Sequence, residues 1–168
     1  MSVPVVSVVG KSNAGKTTFL EKLIRELKRR GYRVATIKHD RGGFEIDQPG
    51  KDTWRHAQAG SDVVVISSPE KIALIRRVEA ELSLDEIVAI LPPVDIVLTE
   101  GYKAGNKPKI EVVRQAIAHE LLSAERELIA IVTDQPFATA VPQFGLDDAS
   151  GVADLLEGSY MPHTSHIL

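Results

Sequence analysis

Val3-Pro4-Val5-Val6-Ser7-Val8-Val9 runs directly into Gly10-Lys11-Ser12-Asn13-Ala14-Gly15-Lys16-Thr17. The first stretch is almost wholly apolar and β-branched, and Gly10 ends it. An apolar run that short reads as a strand buried on both faces, as in a parallel sheet. The second stretch matches the G-x-x-x-x-G-K-[ST] pattern of a phosphate-binding loop. The spacing has a physical reason. Two glycines let the backbone curl so that successive N–H groups point at an anion. The helix that follows adds the positive end of its dipole. From Lys16 to Arg30, the residues Phe19, Leu20, Leu23, Ile24 and Leu27 form one apolar stripe, opposite Glu21, Lys22, Arg25, Glu26 and Lys28. Lys28, Arg29 and Arg30 suit the last turn and Gly31 suits the position just past it. Arg33–Lys38 reads as a second strand, which completes a βαβ unit.

Working outward, 168 residues make one domain with a short appendage at about 150 residues per domain. The expected division is a single nucleotide-binding domain over 1–158 and a tail over 159–168. Apolar residues are 43% of the chain, too many for a disordered one. The net charge of −3 and a pI near 6.0 give no electrostatic reason to expect nucleic acid. The chain has no cysteine, which removes disulfides, thiolate metal sites and a cysteine nucleophile, and fits a reducing cytoplasm. No apolar run approaches the roughly 20 residues that span a bilayer. Met1-Ser2-Val3-Pro4 lacks the charged start of a secretory signal.

Residues 39–53 are polar and rich in Gly, Asp and Lys, the composition of a long loop, and such loops in compact domains are functional or disordered. A short helix is expected over Asp52–Ala59. Asp62–Ser67 and Ile72–Arg77 read as strands joined by Ser68-Pro69-Glu70-Lys71, an antiparallel hairpin. Ser83–Leu91 reads as a helix capped by Ser83 and stopped by Pro92-Pro93. Val94–Thr99, Lys109–Arg114 and Leu128–Thr133 are further strands. A helix is expected over 119–126 and another over Asp148–Leu156. Strands alternating with helices define an α/β fold: a three-layer P-loop domain with a mostly parallel sheet and a hairpin extension at about 62–77.

The chemistry then follows by position. The nucleotide-binding loop comprises Gly10, Lys11, Ser12, Asn13, Ala14, Gly15, Lys16, Thr17 and Thr18. Lys16 reaches the β- and γ-phosphates, and the Thr17 hydroxyl can bind Mg²⁺. Such a site needs a second acid for the metal or the attacking water. Glu100 leads, because it follows a strand at its carboxyl end, where ligands of open α/β sheets sit. Asp40, after Lys38-His39, is the second candidate for metal or water. Lys16, Glu100 and Asp40 thus form the expected catalytic group, and Thr17, Glu100 and Asp40 the expected metal group. Thr133-Asp134 closes the last long strand and could accept from a guanine; a plain turn before Gln135-Pro136 is the equal alternative. Lys11 reads first as a solvated cation. The alternative is a lysine reaching a partner's nucleotide, as in dimers of the cell-division-regulator and arsenite-pump class, where glycines follow it and this chain has Ser12-Asn13. None of the five histidines has zinc-site spacing, and His163 and His166 belong to the tail.

Several blocks together resemble the molybdopterin-guanine dinucleotide biosynthesis protein B (MobB) family. They are the loop Gly10–Thr18, Ile37-Lys38-His39-Asp40, Phe44-Glu45-Ile46-Asp47, Pro49-Gly50-Lys51-Asp52-Thr53, Arg55-His56 and Ala59-Gly60. Glu100-Gly101-Tyr102-Lys103 and Pro108-Lys109-Ile110-Glu111-Val112 complete the set. The resemblance implies a GTP-binding protein with weak, Mg²⁺-dependent GTPase activity. It implies a homodimer that assists when GMP is attached to molybdopterin by a separate transferase. Members often carry a histidine shortly after the Lys-His pair, where this chain has Arg41-Gly42-Gly43. Within that reading, the loop over 39–53 responds to the γ-phosphate or faces molybdopterin or the transferase, and the hairpin over Val63–Arg77 pairs the protomers.

Two other readings use the same loop. A small-molecule kinase would need a lid bearing several arginines, and Arg76-Arg77 is the only adjacent pair outside the first helix. An ATP-dependent dimeric scaffold would use Lys11 across the dimer.

Overall fold

The computed structural model describes residues 3–161. The expected tail lies largely outside them, His163 and His166 included. The chain forms two compact units, one from Met1–His39 with Leu91–Leu168 and one from Asp40–Ile90.

The first unit is built on a six-stranded sheet. Its strands are β1 (Val5–Val9), β2 (Val34–Lys38), β5 (Ile96–Glu100), β6 (Lys109–Val113), β7 (Leu128–Thr133) and β8 (Gln143–Phe144). Their order is β2-β5-β1-β6-β7-β8, and every neighbouring pair is parallel. Period-two alternation puts Val6, Val8, Ile96, Leu98, Ile110, Val112, Ala130 and Val132 into one core cluster. Helix α1 (Lys16–Arg29) brings Phe19, Leu20, Leu23 and Leu27 to that cluster, and α4 (Ala149–Ser159) brings Val152, Ala153 and Leu156. A second, smaller cluster holds Val113, Ala118, Leu128 and Ile131. The strand reading of the sequence holds to within two residues in this unit, and α1 starts where expected.

The expected helix over 119–126 does not form. Only Glu125–Glu127 makes a 3₁₀ turn. The cause is Glu111, a buried carboxylate on β6, which accepts the N–H groups of Leu122 at 2.6 Å and Ser123 at 2.9 Å. Those donors are captured sideways and the local helix preference loses. Glu100 lies inside β5, as its last residue, because it is in ladder register with Val8 of β1 and Lys38 of β2, and β5 starts two residues later than expected. Asp95 precedes it and is occupied with Arg33, taking its N–H at 2.6 Å and its guanidinium at 3.0 Å. The two-residue strand β8 has no periodic signal and was not expected.

The second unit carries α2 (Asp52–Gln58), the antiparallel pair β3 (Val63–Ser67) and β4 (Ile72–Arg76), and α3 (Leu84–Ala89). Ser68 N–H donates to the Lys71 carbonyl at 2.7 Å and closes the hairpin turn. Arg77 donates to the Ala57 carbonyl at 3.0 Å, which ties the hairpin to α2. Ser83 and Glu86 form the reciprocal cap of α3 expected from the sequence. Of the hairpin's apolar residues only Val64 is buried; Val65, Ile66, Ile72 and Leu74 are exposed.

Polar contacts join α1 to α4. Arg30, with its side chain only 14% exposed, donates to Glu26 at 2.7 Å, Asp154 at 2.6 Å and Glu157 at 2.7 Å. Hydrogen bonds from Arg29 and Arg30 hold the Glu26 carboxyl down at about 2. Its folded value lies below its ordinary value of 4.5, so its contribution is complete above that value and fades as pH falls towards 2. Arg30→Ala leaves Glu26 with Arg29 alone and takes the guanidinium from Asp154 and Glu157, so the urea midpoint at neutral pH should fall. Urea unfolding should show the gap between wild type and variant shrinking in strong acid.

Candidate nucleotide-binding site

The loop between β1 and α1 owes its path to two glycines. Gly10 has φ 147°, and a Cβ there would stand 2.4 Å from the Val112 carbonyl oxygen on β6. Gly15 has φ 95° and caps α1 without a side chain. Asn13 also takes a left-handed conformation, φ 62°, which asparagine tolerates. The amide groups of the first turn of α1, at Lys16, Thr17 and Thr18, thus have no side-chain cap.

Two functional side chains meet at the end of this loop. Thr17 Oγ1 donates to Glu100, 3.0 Å from Oε1 and 3.1 Å from Oε2. Sheet register makes this meeting: Glu100 is paired with Val8 of β1 on one side and Lys38 of β2 on the other. Lys16 Nζ folds back to the Lys11 carbonyl at 2.8 Å. Its pKa is lowered, first by desolvation and then by Lys103 and Lys38, with Glu100 opposing. Three lysines therefore surround one carboxylate, an excess of positive charge that favours a polyanion.

Glu100 and Thr17 supply a carboxylate and a hydroxyl to one point. Among the described residues no group of three His, Cys, Asp or Glu could hold a metal. A two-ligand protein site suits Mg²⁺, which is commonly held by one or two protein oxygens together with nucleotide phosphates and water. Asp40 belongs to the second unit, where its carboxylate accepts the Gly42 N–H at 2.9 Å in a local turn.

Thr133 and Asp134 stand at the carboxyl end of β7. They line an open depression of about 350 Å³ with Gln135, Pro136, Gln143 and Phe144. Asp134 Oδ1 accepts the Gln115 N–H at 2.7 Å and Thr133 Oγ1 accepts the Gln135 N–H at 3.1 Å. The depression is wide open to solvent, and β8, paired with β7, supplies Gln143 and Phe144 to its lining.

The structure adds a pair that sequence reasoning did not assemble. His39 and Tyr102 stack with ring centroids 4.6 Å apart and planes 25° apart. Gly101, φ 106°, permits it, since a Cβ there would stand 3.3 Å from His39 Cβ. The Lys-His and Glu-Gly-Tyr blocks each begin on the last residue of a strand, but only the sheet order makes those strands neighbours.

Comparison with known proteins decides the family. The family model described as "Molybdopterin guanine dinucleotide synthesis protein B" matches residues 5–134. The chain belongs to this MobB family. It is 34% identical over 157 residues to the molybdopterin-guanine dinucleotide biosynthesis adapter protein of Haemophilus influenzae, covering 92% of this chain and 88% of that one. Identity to the Escherichia coli adapter protein is 32% over 160 residues, covering 92% and 91%. A crystal structure of molybdopterin-guanine biosynthesis protein B superposes with a TM-score of 0.73 at 31% identity, covering 92% of this chain and 98% of that chain. The mostly parallel sheet with its separate two-stranded hairpin is thus a MobB fold.

Gly10→Ala tests the geometry of the loop directly. The new Cβ meets β6 backbone in a conformation that disfavours it, so roughly 2–4 kcal/mol of stability should be lost. Thermal unfolding should show the loss, and nucleotide affinity should fall with it.

Proposed function

We propose that this protein is a Mg²⁺·GTP-binding accessory protein that assists attachment of GMP to molybdopterin. The observation that carries this is the convergence of Lys16, Thr17 and Glu100 at the end of a glycine loop. In this reading Gly10, Lys11, Ser12, Asn13, Ala14 and Gly15 wrap the phosphates. Lys16 leaves the Lys11 carbonyl and moves its ammonium to the β- and γ-phosphates. Thr17 and Glu100 hold Mg²⁺, which when bound neutralises phosphate charge. Thr133 and Asp134 face the guanine, with Asp134 Oδ2 as acceptor while Oδ1 keeps Gln115. The adapter role follows the MobB relatives, whose names place them in molybdopterin-guanine dinucleotide biosynthesis. The transferase, or molybdopterin itself, is then the partner. GTP hydrolysis is slow in this reading.

Equilibrium binding of GTP and ATP with Mg²⁺ tests it. GTP should bind at least about tenfold more tightly than ATP, roughly 1.4 kcal/mol of discrimination. Lys16→Ala should abolish both. Equal affinities would remove Thr133-Asp134 as guanine readers. A preference for ATP would favour the kinase or the ATP-dependent scaffold.

The hairpin supports the homodimer part of this reading. A lone two-stranded sheet is marginal in water, and β3–β4 leaves Ile72 70% and Leu74 60% exposed. A second hairpin pairing with it would cover both its open edge and its apolar side chains. Leu74→Arg should then turn a dimer into a folded monomer in sedimentation velocity.

A further inference from the structure

Arg114 stands immediately after β6, one strand away from the loop strand β1. Its backbone is pinned on both sides. The Arg114 carbonyl accepts N–H groups from Ile117 at 2.8 Å and Ala118 at 3.0 Å. The next amide, Gln115 N–H, is held by Asp134 at 2.7 Å. The side chain is exposed and lies against the phosphate loop. Its Nη2 stands 3.4 Å, and its Cζ 3.9 Å, from where a Cβ on Gly15 would be.

The guanidinium has no hydrogen bond or ion pair among the described residues. Arg25, Arg29, Arg30 and Arg33 of this unit are paired with carboxylates, and Arg126, which also has no pair, precedes β7 at its amino end, away from the strand ends that carry the loop. Asp147 feels the charge of Arg114, but its hydrogen bond goes to Lys22. A rigidly rooted, planar cation is thus held over the glycine that begins α1, with its donors unspent.

The sheet order says which part of a nucleotide it would meet. Glu100 on β5 flanks the loop on one side, while Arg114 on β6 and then Asp134 on β7 follow on the other. On the reading of the preceding subsection, metal and γ-phosphate lie towards Glu100 and the base towards Asp134. Arg114 then stands between loop and base, beside the α- and β-phosphates.

We propose that Arg114 is a ligand of the nucleotide diphosphate, gripping α- or β-phosphate oxygens from the β6 side of the loop. This rests on the nucleotide reading above and adds a residue to it. The phosphates it holds are common to GDP and GTP, so it contributes to binding both and not to the transfer of the γ-phosphate.

The test is equilibrium binding of GDP and GTP, with steady-state GTP hydrolysis, for wild type, Arg114→Met and Arg114→Lys. Arg114→Met should weaken GDP and GTP alike by about 10- to 100-fold, the scale of one lost charge-assisted contact, with kcat at saturating GTP unchanged. Arg114→Lys should recover part of the affinity, which a purely structural role would not predict. Matching thermal unfolding of Lys and Met variants separates lost contact from lost fold. Unchanged GDP affinity in a folded Arg114→Met would overturn the proposal. A loss confined to GTP, with a fall in kcat, would also overturn it and move Arg114 to the γ-phosphate. Wild type that binds neither nucleotide would overturn this proposal and the nucleotide reading together. Wild type that binds while both variants bind equally well would overturn this one alone.

Discussion

The approach of Gly10 to β6 is the contact on which the rest depends. A Cβ at Gly10 would stand 2.4 Å from the Val112 carbonyl oxygen, so only glycine lets β1 end there. That exit turns the chain back over the sheet's carboxyl edge. Asn13 and Gly15, both left-handed, complete the curl and α1 begins at once. The stripe from Phe19 to Leu27 is then delivered to the face carrying Val6, Val8, Ile110 and Val112. The apolar core and the phosphate loop are therefore set by one backbone contact, and the site stands on rigid elements.

Electrostatics at that edge is unbalanced by design of the topology. Parallel strands send Lys38, Glu100 and the loop to the same end of the sheet, and Lys103 follows in the next turn. Lys16 pays for this crowding: burial and two neighbouring lysines make its ammonium easier to deprotonate than a free lysine's. One carboxylate, already shared with the Thr17 hydroxyl, offsets only part of it. A phosphate chain relieves the repulsion among all three lysines, so binding and local stability reinforce each other.

What was legible in the sequence was whatever depends on neighbours along the chain. β1, the loop, α1 and β2 follow from runs and spacings within the first 38 residues. The cap of α3 is readable as Ser83 followed three residues later by Glu86. What was not legible depends on contacts between distant strands. The His39–Tyr102 stack needs β2 beside β5, and Arg114 against Gly15 needs β6 beside β1. The failed helix over 119–126 is the sharpest case. Its own residues favour helix, and a carboxylate eleven positions upstream of Leu122 removes its donors. β8, with two residues, carries no period at all, yet its Gln143 and Phe144 line the open depression beside Asp134.

That same carboxylate recasts one of the blocks by which the family is recognised. Pro108-Lys109-Ile110-Glu111-Val112 has charged residues in a fully buried strand, an arrangement that invites a catalytic reading. Their partners argue otherwise. Lys109 Nζ pairs with Glu127 at 2.7 Å, and that hydrogen bond leads the lowering of the Glu127 pKa. Glu111 holds the backbone of Leu122 and Ser123. Ile110 and Val112 meanwhile join the core cluster of α1 and α4. Alternation along β6 thus separates two tasks: apolar residues pack on helices, and polar ones fasten the irregular chain that leads to β7. Among the described residues, no buried side-chain nitrogen or oxygen is left without a partner. A buried charge that is engaged by structural partners is committed to the frame before any ligand arrives. Lys109 and Glu111 therefore build the frame that aims β6 and fixes where its carboxyl end, with Arg114, stands beside the glycine loop.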